Sequence, residues 1–508
     1  MQAIFDEGPP PPCPAPFNLA AHVLAPAATT PDKIALAVVT PSGAERWSYA
    51  RLERAVRGVA GALAAMGLPD GAPVLLRLGN TVDFPIAFLG AIAAGLMPVP
   101  TSAQLTTSEI SRLAVEIAPA LIIAAPGVAL PEGNIPVIDS AGLEALFDRA
   151  PGAYAMGDPD RPAYMIYTSG TGGAPRGVLH AHRAVWARRM MWDGWYGLTR
   201  DDRLLHAGAF NWTYTLGTGL LDPWAIGATA LIPGAGVTPA ALPLLLRRHD
   251  VTIFAAAPGV FRQMMRAGPL PALPRLRHAL SAGEKLPEAT RDAWTAATGT
   301  PVYEALGMSE CSTFISGSPS RPATPPASGY PQGGRRLAVL GEDLSPVLRG
   351  TPGQLAVSRR DPGLMLGYWK APDETAARFS GEWFLTGDMV QMAEDDAVTY
   401  LGRTDDMMNA GGFRVSPVEV EAALTGHPDI HEVAVTEVRV KANATVIAAF
   451  YTGTHTDEAA LRDFVAERLA RYKQPRMFIH MDALPRGGNG KLNRKALRQT
   501  WEGRHDQT

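Results

Sequence analysis

The amino-acid sequence predicts an α/β fold: a large N-terminal domain of mostly parallel sheets flanked by helices, with a β-subdomain, and then a small α+β C-terminal domain. Three observations carry this. From residue 17 to residue 266, short apolar runs rich in β-formers alternate with helically spaced segments. Such alternation implies parallel strands with helices on their faces. After Gly350 the texture changes to Gly and β-formers, and beyond residue 402 a second, shorter alternation begins.

The elements follow in order. Residues 34–39, 74–76 and 120–124 read as buried strands, and 49–66 and 83–95 as helices. The apolar stretch 87–99 is too short to cross a bilayer and reads as a buried helix. Alternation resumes through 203–232, 240–248, 252–256 and 258–266. Residues 351–402 (GQLAVS, GLMLGYW, EWFLTGD, VTYLG) make the β-subdomain, which is taken to start at about residue 330. The polar run Gly402–Asp406 marks a boundary, so the domains are 1–402 and 403–508. A helix over 417–424, strands over 433–440 and 446–451, a helix over 456–469, a Gly/Asn-rich loop and a basic tail complete the second. No fixed-period repeat is present, which excludes a solenoid.

Composition narrows the function. The 508 residues carry 46 Lys+Arg against 49 Asp+Glu, a net charge of −3, and so lack the basic surplus of a nucleic-acid binder. At 46% hydrophobic residues, disorder is excluded for most of the chain. Two cysteines, Cys13 and Cys311, allow neither a disulfide framework nor a thiolate metal cluster. The start of the chain has no basic and apolar regions of a secretory signal, and its proline run reads as an extended leader with little structure of its own. A cytoplasmic protein without a membrane span is expected.

The most informative stretch is Tyr167-Thr168-Ser169-Gly170-Thr171-Gly172-Gly173-Ala174-Pro175-Arg176-Gly177. A strand candidate over 164–167 precedes it, and 179–189 reads as helical. Glycines let backbone N–H groups converge on an anion, hydroxyls add donors, and arginine adds charge-assisted contacts. The loop is not a Walker A motif, because G-x-x-x-x-G-K-[ST] is absent. Its composition alone serves a polyphosphate site or a solvated linker.

Further segments follow in order: Ser281-Ala282-Gly283-Glu284, Leu306-Gly307-Met308-Ser309-Glu310, Thr386-Gly387-Asp388, Gly402-Arg403-Thr404-Asp405-Asp406 and Gly490-Lys491. Taken with the loop, they resemble the adenylate-forming superfamily of acyl- and aryl-CoA ligases, peptide-synthetase adenylation domains and beetle luciferases. The resemblance implies an AMP-forming acid–thiol ligase, with ATP, Mg²⁺ and CoA, that joins a carboxylic acid to AMP and then to CoA. An alternative implied by the same residues is a stand-alone adenylation enzyme that loads a carrier-protein phosphopantetheine.

Each matched residue acquires an implied role. Thr168, Ser169, Gly170, Thr171, Gly172, Gly173 and Arg176 would hold the β- and γ-phosphates. Glu310 would be the magnesium ligand, with Ser309 at the α-phosphate. Asp388 would accept from the ribose hydroxyls, Arg403 and Arg414 would support ribose and phosphate, and Gly283, Glu284 and Leu306 would line adenine. Lys491 would bridge the acid carboxylate and the α-phosphate in the transition state. Asp405 would be the hinge of a mobile C-terminal domain, and Gly411 and Gly412 the CoA channel. Trp212, Thr213, Tyr214, Ala282, Ala305 and Gly307 would line the acyl pocket, which resembles that of benzoate–CoA ligases.

The chain departs from the family in carrying Arg176 where lysine is usual, Gly172 where threonine is usual, and Leu306 where many members have tyrosine. No arginine in the pocket segments would pair a second carboxylate, so a monocarboxylic acid (aromatic, alicyclic or short to medium aliphatic) is expected. As partners beyond acid and CoA, the resemblance suggests a homodimer and a lysine acetyltransferase acting on Lys491, whose charge acetylation would remove.

Overall fold

Strands that are apolar along their whole length are buried on both faces, and these build the centre of the protein. A computed structural model describes residues 1–169, 175–410, 413–441, 444–487 and 492–505. Its largest sheet has nine strands. From one edge they run Tyr330–Pro331, Ser312–Ser316, Val302–Met308, His278–Ala282, Ile253–Ala256, Arg203–His206, Thr229–Pro233, Ile34–Thr40 and Gly43–Ser48. The pairings between Val302–Met308 and Ile34–Thr40 are parallel, and those at both edges are antiparallel. A four-stranded parallel sheet (Met97–Pro100, Pro73–Arg77, Leu121–Ala124, Val137–Asp139) lies N-terminal in sequence.

Helices cover these sheets for local reasons. Ser48 caps the helix Tyr49–Ala65 by accepting from the Arg51 amide, and Leu52, Val56, Val59 and Leu63 form its buried stripe. That stripe meets the helix Asp83–Ala93, which is buried at every position, as its all-round apolarity predicts. Thr106 and Glu109 make a reciprocal capping box on Thr107–Ile117.

Two sequence expectations are corrected. Residues 179–189 are not one helix: the chain leaves the glycine-rich loop in the strand Pro175–Ala181, and the helix Arg183–Ala187 is short. The leader is not unstructured either. Ile4–Asp6 adds an antiparallel edge strand to Arg336–Leu340, and the Trp186 indole donates to the Pro11 carbonyl. The partner strand lies at the far end of the N-terminal domain, so no local pattern announces it.

The β-subdomain is an antiparallel sheet of Ile4–Asp6, Arg336–Leu340, Gly353–Ser358, Trp383–Met392 and Phe379–Ser380, with Val398–Arg403 also paired to Trp383–Met392. Beyond it, Ile430–Lys441, Ala444–Gly453 and Met477–His480 form a small sheet under the helices Pro417–Thr425 and Glu458–Ala466. This C-terminal unit meets the N-terminal one through charge. Glu432 lies 3.1 Å from Arg262 of the helix Pro258–Arg266 and 3.1 Å from Arg486. Among the described residues, no helix is long and apolar enough to cross a membrane.

Burial imposes a pH dependence. His180, His182, His206 and His278 are all at most 3% exposed, and burial pushes their rings down to about 4, 3, 3 and 4. A free histidine titrates near 6.5, so acidification protonates the unfolded chain first. Their stabilising contribution is full above pH 6.5 and is lost as pH falls toward 3–4, by at most about 1.4 kcal/mol per histidine per pH unit. The urea midpoint is therefore expected to drop steeply between pH 7 and pH 5. A flat midpoint would refute the assignment.

Candidate active site

In sheets with parallel strands, ligands sit in the crevice at the carboxyl ends of the strands. Ala282 ends one central strand, and Leu306, Gly307 and Met308 end the next. The chain then turns through Ser309 and Glu310 and returns antiparallel as Ser312–Ser316. Gly307 is required there: a Cβ would stand 2.3 Å from the Ser312 carbonyl oxygen and 2.6 Å from the Thr313 Cα. Ser312 takes a φ of 65°, and the buried Arg188 guanidinium donates to its hydroxyl. Gly307→Ala should lower the unfolding midpoint by an amount equivalent to about 1–3 kcal/mol, as overpacking does. Calorimetry checks it, and an unchanged midpoint would show that the hairpin can spread freely.

The Ser309–Glu310 turn is docked on a second hairpin. Strands Pro162–Ser169 and Pro175–Ala181 pair so that Thr168 faces Arg176 in register. Between them, Gly170, Thr171, Gly172 and Gly173 lie outside the described residues. From this hairpin the His180 ring hydrogen-bonds the Ser309 carbonyl at 2.8 Å. Gly367–Tyr368 adds a third strand, and the Tyr368 hydroxyl donates to Glu310 Oε1 at 2.7 Å. Burial and the Glu310 charge both raise the Tyr368 phenol, so it stays a donor. Gly177 permits the approach, because a Cβ there would meet the Met165 sulfur at 2.6 Å and the Trp369 Cβ at 3.1 Å. Arg176 is half-exposed, 2.6 Å from Glu374 and over the Tyr368 ring.

A third part comes from the β-subdomain. Asp388 and Arg403 are cross-strand partners, with Nη1 donating to Oδ1 at 3.0 Å. Asp388 is 5% exposed; burial raises its carboxyl, and the Arg403 charge pulls it part of the way back. Gly387, at φ 76°, leaves room for the Arg403 guanidinium, which a Cβ would approach to 2.7 Å. Asp405, exposed, sits 3.7 Å from Arg403 Nε. Arg378 donates to the Thr386 carbonyl and acts electrostatically on both Asp388 and Tyr368, linking this part to the Glu310 turn. Gly283 and Glu284 precede Lys285, whose ammonium donates to Ser328 Oγ at 2.9 Å. That hydroxyl also accepts from the Tyr400 amide beside the Asp388 strand.

The apolar wall is equally defined. Ala282 faces Ala305 across neighbouring strands, and both pack in one cluster with Tyr214, Trp195 and Tyr303. The Tyr214 hydroxyl donates to the Leu280 carbonyl at 3.2 Å, and its ring stacks on Trp195 at 5.7 Å. Trp212 and Thr213 begin the same helical turn, Thr213–Leu216, and are half-buried. Leu306 packs toward the β-subdomain core. The sequence pattern missed Arg188, which lies against Gly217: a Cβ there would fall 2.2 Å from its Cζ. Its charge is taken by the buried Asp222, at 2.7 Å. It also missed three orphans: both ring nitrogens of His206 and the hydroxyl of Thr215 are buried without partners, which costs about 1–3 kcal/mol per group.

Gly411, Gly412 and Lys491 lie outside the described residues. Ser169 ends the first strand of the hairpin, and Arg414 pairs with Asn409 in the strand Phe413–Val415. The described site residues thus divide into a docked acidic turn, a buried carboxylate–guanidinium pair and an apolar wall.

Two family models match this chain. The model of the AMP-binding enzyme family matches residues 24–369, and that of the AMP-binding enzyme C-terminal domain matches 419–491. The chain belongs to the AMP-binding enzyme family. Among its relatives, a 4-hydroxybenzoate–CoA/benzoate–CoA ligase of Rhodopseudomonas palustris is 33% identical over 484 residues, covering 89% of this chain and 88% of that one. A benzoate–CoA ligase of Thauera aromatica is 31% identical over 468 residues, covering 85% and 86%. A crystal structure of a benzoate CoA ligase from Burkholderia xenovorans superposes with a TM-score of 0.85 at 29% identity, covering 95% of this chain and all of that one.

Proposed function

We propose that this protein is an AMP-forming aromatic acid–CoA ligase. The acid carboxylate attacks the α-phosphorus of ATP, the P–O bond to pyrophosphate breaks, and acyl-AMP forms. The CoA thiol then attacks the acyl carbon and displaces AMP. The observation that carries the reading is the buried Asp388–Arg403 pair held in cross-strand register, with Arg378 acting electrostatically both on Asp388 and on the Tyr368 that donates to Glu310. The aromatic acids named for the two curated relatives, and the Tyr214–Ala282–Ala305 wall, support the substrate class.

In this reading Thr168, Arg176 and the intervening loop hold the leaving phosphates, and Asp388 accepts from the ribose while the Arg403 charge counters the upward push of burial on its carboxyl. Tyr368 and His180 fix Glu310 and Ser309 before substrate arrives, which is preorganisation. Glu310 is a single carboxylate beside hydroxyls, and among the described residues no three His, Cys, Asp or Glu side chains gather as a metal cage. That donor set fits Mg²⁺, which keeps waters and is bound largely through substrate phosphates. Bound with ATP, Mg²⁺ supplies charge neutralisation on the phosphates. Lys491 completes the first half-reaction, and Asp405 serves as the hinge that brings Gly411 and Gly412 to the thiol in the second. A lysine acetyltransferase acting on Lys491 would silence the first half-reaction, and the protein works in the cytoplasm.

The test is a panel of benzoic, alicyclic and short-chain acids with ATP, Mg²⁺ and CoA. AMP, pyrophosphate and an aryl-CoA are expected to appear together, with benzoic acids preferred. Turnover with a carrier protein but not with free CoA, or no activation of any benzoic acid, would overturn the reading.

A further inference from the structure

His206 closes the strand Arg203–His206 at its carboxyl end and is 1% exposed. Register places it in one row with Ala255, Leu280 and Tyr303, and two rows further toward the carboxyl ends Ala282 stands opposite Ala305. Successive residues of a strand point to opposite faces, so residues two apart share one. Leu204 packs with Ala282, Ala305 and Tyr214, whereas Leu205 packs on the other face. His206 therefore projects from the wall face of the sheet, one pleat below Ala282 and Ala305. Tyr214 lies edge-on to it, with ring centroids 4.3 Å apart.

Neither ring nitrogen of His206 has a hydrogen-bond partner, and neither has the hydroxyl of Thr215, which is 0% exposed and follows Tyr214 in the chain. The two groups converge on Gly208: the place a Cβ would take there is 2.1 Å from Thr215 Oγ1 and 3.1 Å from His206 Nδ1. Buried polar groups are paired in native proteins, so two unpartnered groups that meet at Gly208 call for a partner. We propose that His206 and Thr215 form a polar floor to the acid pocket and read an uncharged hydrogen-bonding substituent, a hydroxyl or an amine, on the ring of the acid. The inference rests on the aromatic acid–CoA ligase reading and names the subclass of its acid.

The chemistry matches on both sides. Burial keeps the imidazole neutral, so it offers one N–H donor and one acceptor lone pair. The threonine hydroxyl donates and accepts as well. A ring hydroxyl or amine has the same dual character. A second carboxylate would find the buried Arg188 already paired with Asp222. A site built to hydrogen-bond a substituent discriminates strongly against the analogue that lacks it, because its own groups are then left unpaired.

The experiment measures kcat/KM of the full chain, with ATP, Mg²⁺ and CoA, for benzoate and for its 2-, 3- and 4-hydroxy and amino derivatives. The wild type is expected to favour at least one substituted acid over benzoate by about tenfold or more. His206→Phe and Thr215→Val should each erase most of that ratio. His206→Asn, which restores a donor and an acceptor, should recover part of it. A wild type that activates benzoate but shows no substituent preference overturns the inference and leaves the ligase reading intact. So does a set of variants that weakens all acids equally, as it would if a buried water or simple packing were the role of these groups. Failure of the wild type on every benzoic acid overturns both. The wild-type panel decides even if a variant does not fold.

Discussion

Lys491→Ala is expected to reduce acyl-adenylate formation by about a hundredfold to a thousandfold, while thioester formation from supplied acyl-AMP and CoA stays within a few-fold of wild type. The physical reason is the meeting of two anions. A carboxylate approaching an α-phosphate adds negative charge to a centre already crowded with it, and a preorganised ammonium offsets that charge only as the transition state forms. Loss of one such electrostatic donor costs about 3–4 kcal/mol in other enzymes. The second half-reaction has a neutral thioester product and does not need the same cation. Single-turnover measurements of pyrophosphate release and of acyl-CoA formation separate the two. Equal loss in both, in a variant with an unchanged unfolding midpoint, would remove the division of labour proposed for Lys491.

Asp388→Asn has the second largest expected effect. Two hydrogen bonds to a charged acceptor, at about 1.5 kcal/mol each, would lower kcat/KM for ATP about a hundredfold. The loss should fall on ATP and not on the acid, since the Tyr214 wall is untouched. The substitution also strips Arg403 of its buried partner, so a lower unfolding midpoint should accompany it. A hundredfold loss in the KM for the acid instead would reassign Asp388.

The layout of the protein was legible where chemistry is written locally. The buried helix Asp83–Ala93 follows from residues that are apolar on nearly every side, and the short motifs around Asp388 and Arg403 single out two residues that the strands set opposite each other. What holds the site in shape was not legible. Tyr368 reaches Glu310 across 58 positions and His180 reaches Ser309 across 129, and neither spacing has a periodicity that a reader could detect. His206 ends a strand in an ordinary apolar run; only the sheet register reveals which wall it shares. The run after Gly177 misled for a related reason: GVLHAH suits a helix by composition, yet the hairpin and the strand Gly367–Tyr368 supply the pairing that makes it β.

The ion pairs of Glu432 with Arg262 and Arg486 join a helix of the first domain to the second, and the Arg486 segment leads directly to Lys491. Arg262 and Glu432 are about a quarter exposed, so dissolved electrolyte reaches the contact and shortens the range of its attraction. The swivel proposed for the smaller domain would part these charges. Moderate added potassium chloride is therefore expected to hasten thiol capture relative to pyrophosphate release, and Glu432→Gln should blunt that response. The tether between the domains would then act as a tuning screw that the ionic medium itself can turn.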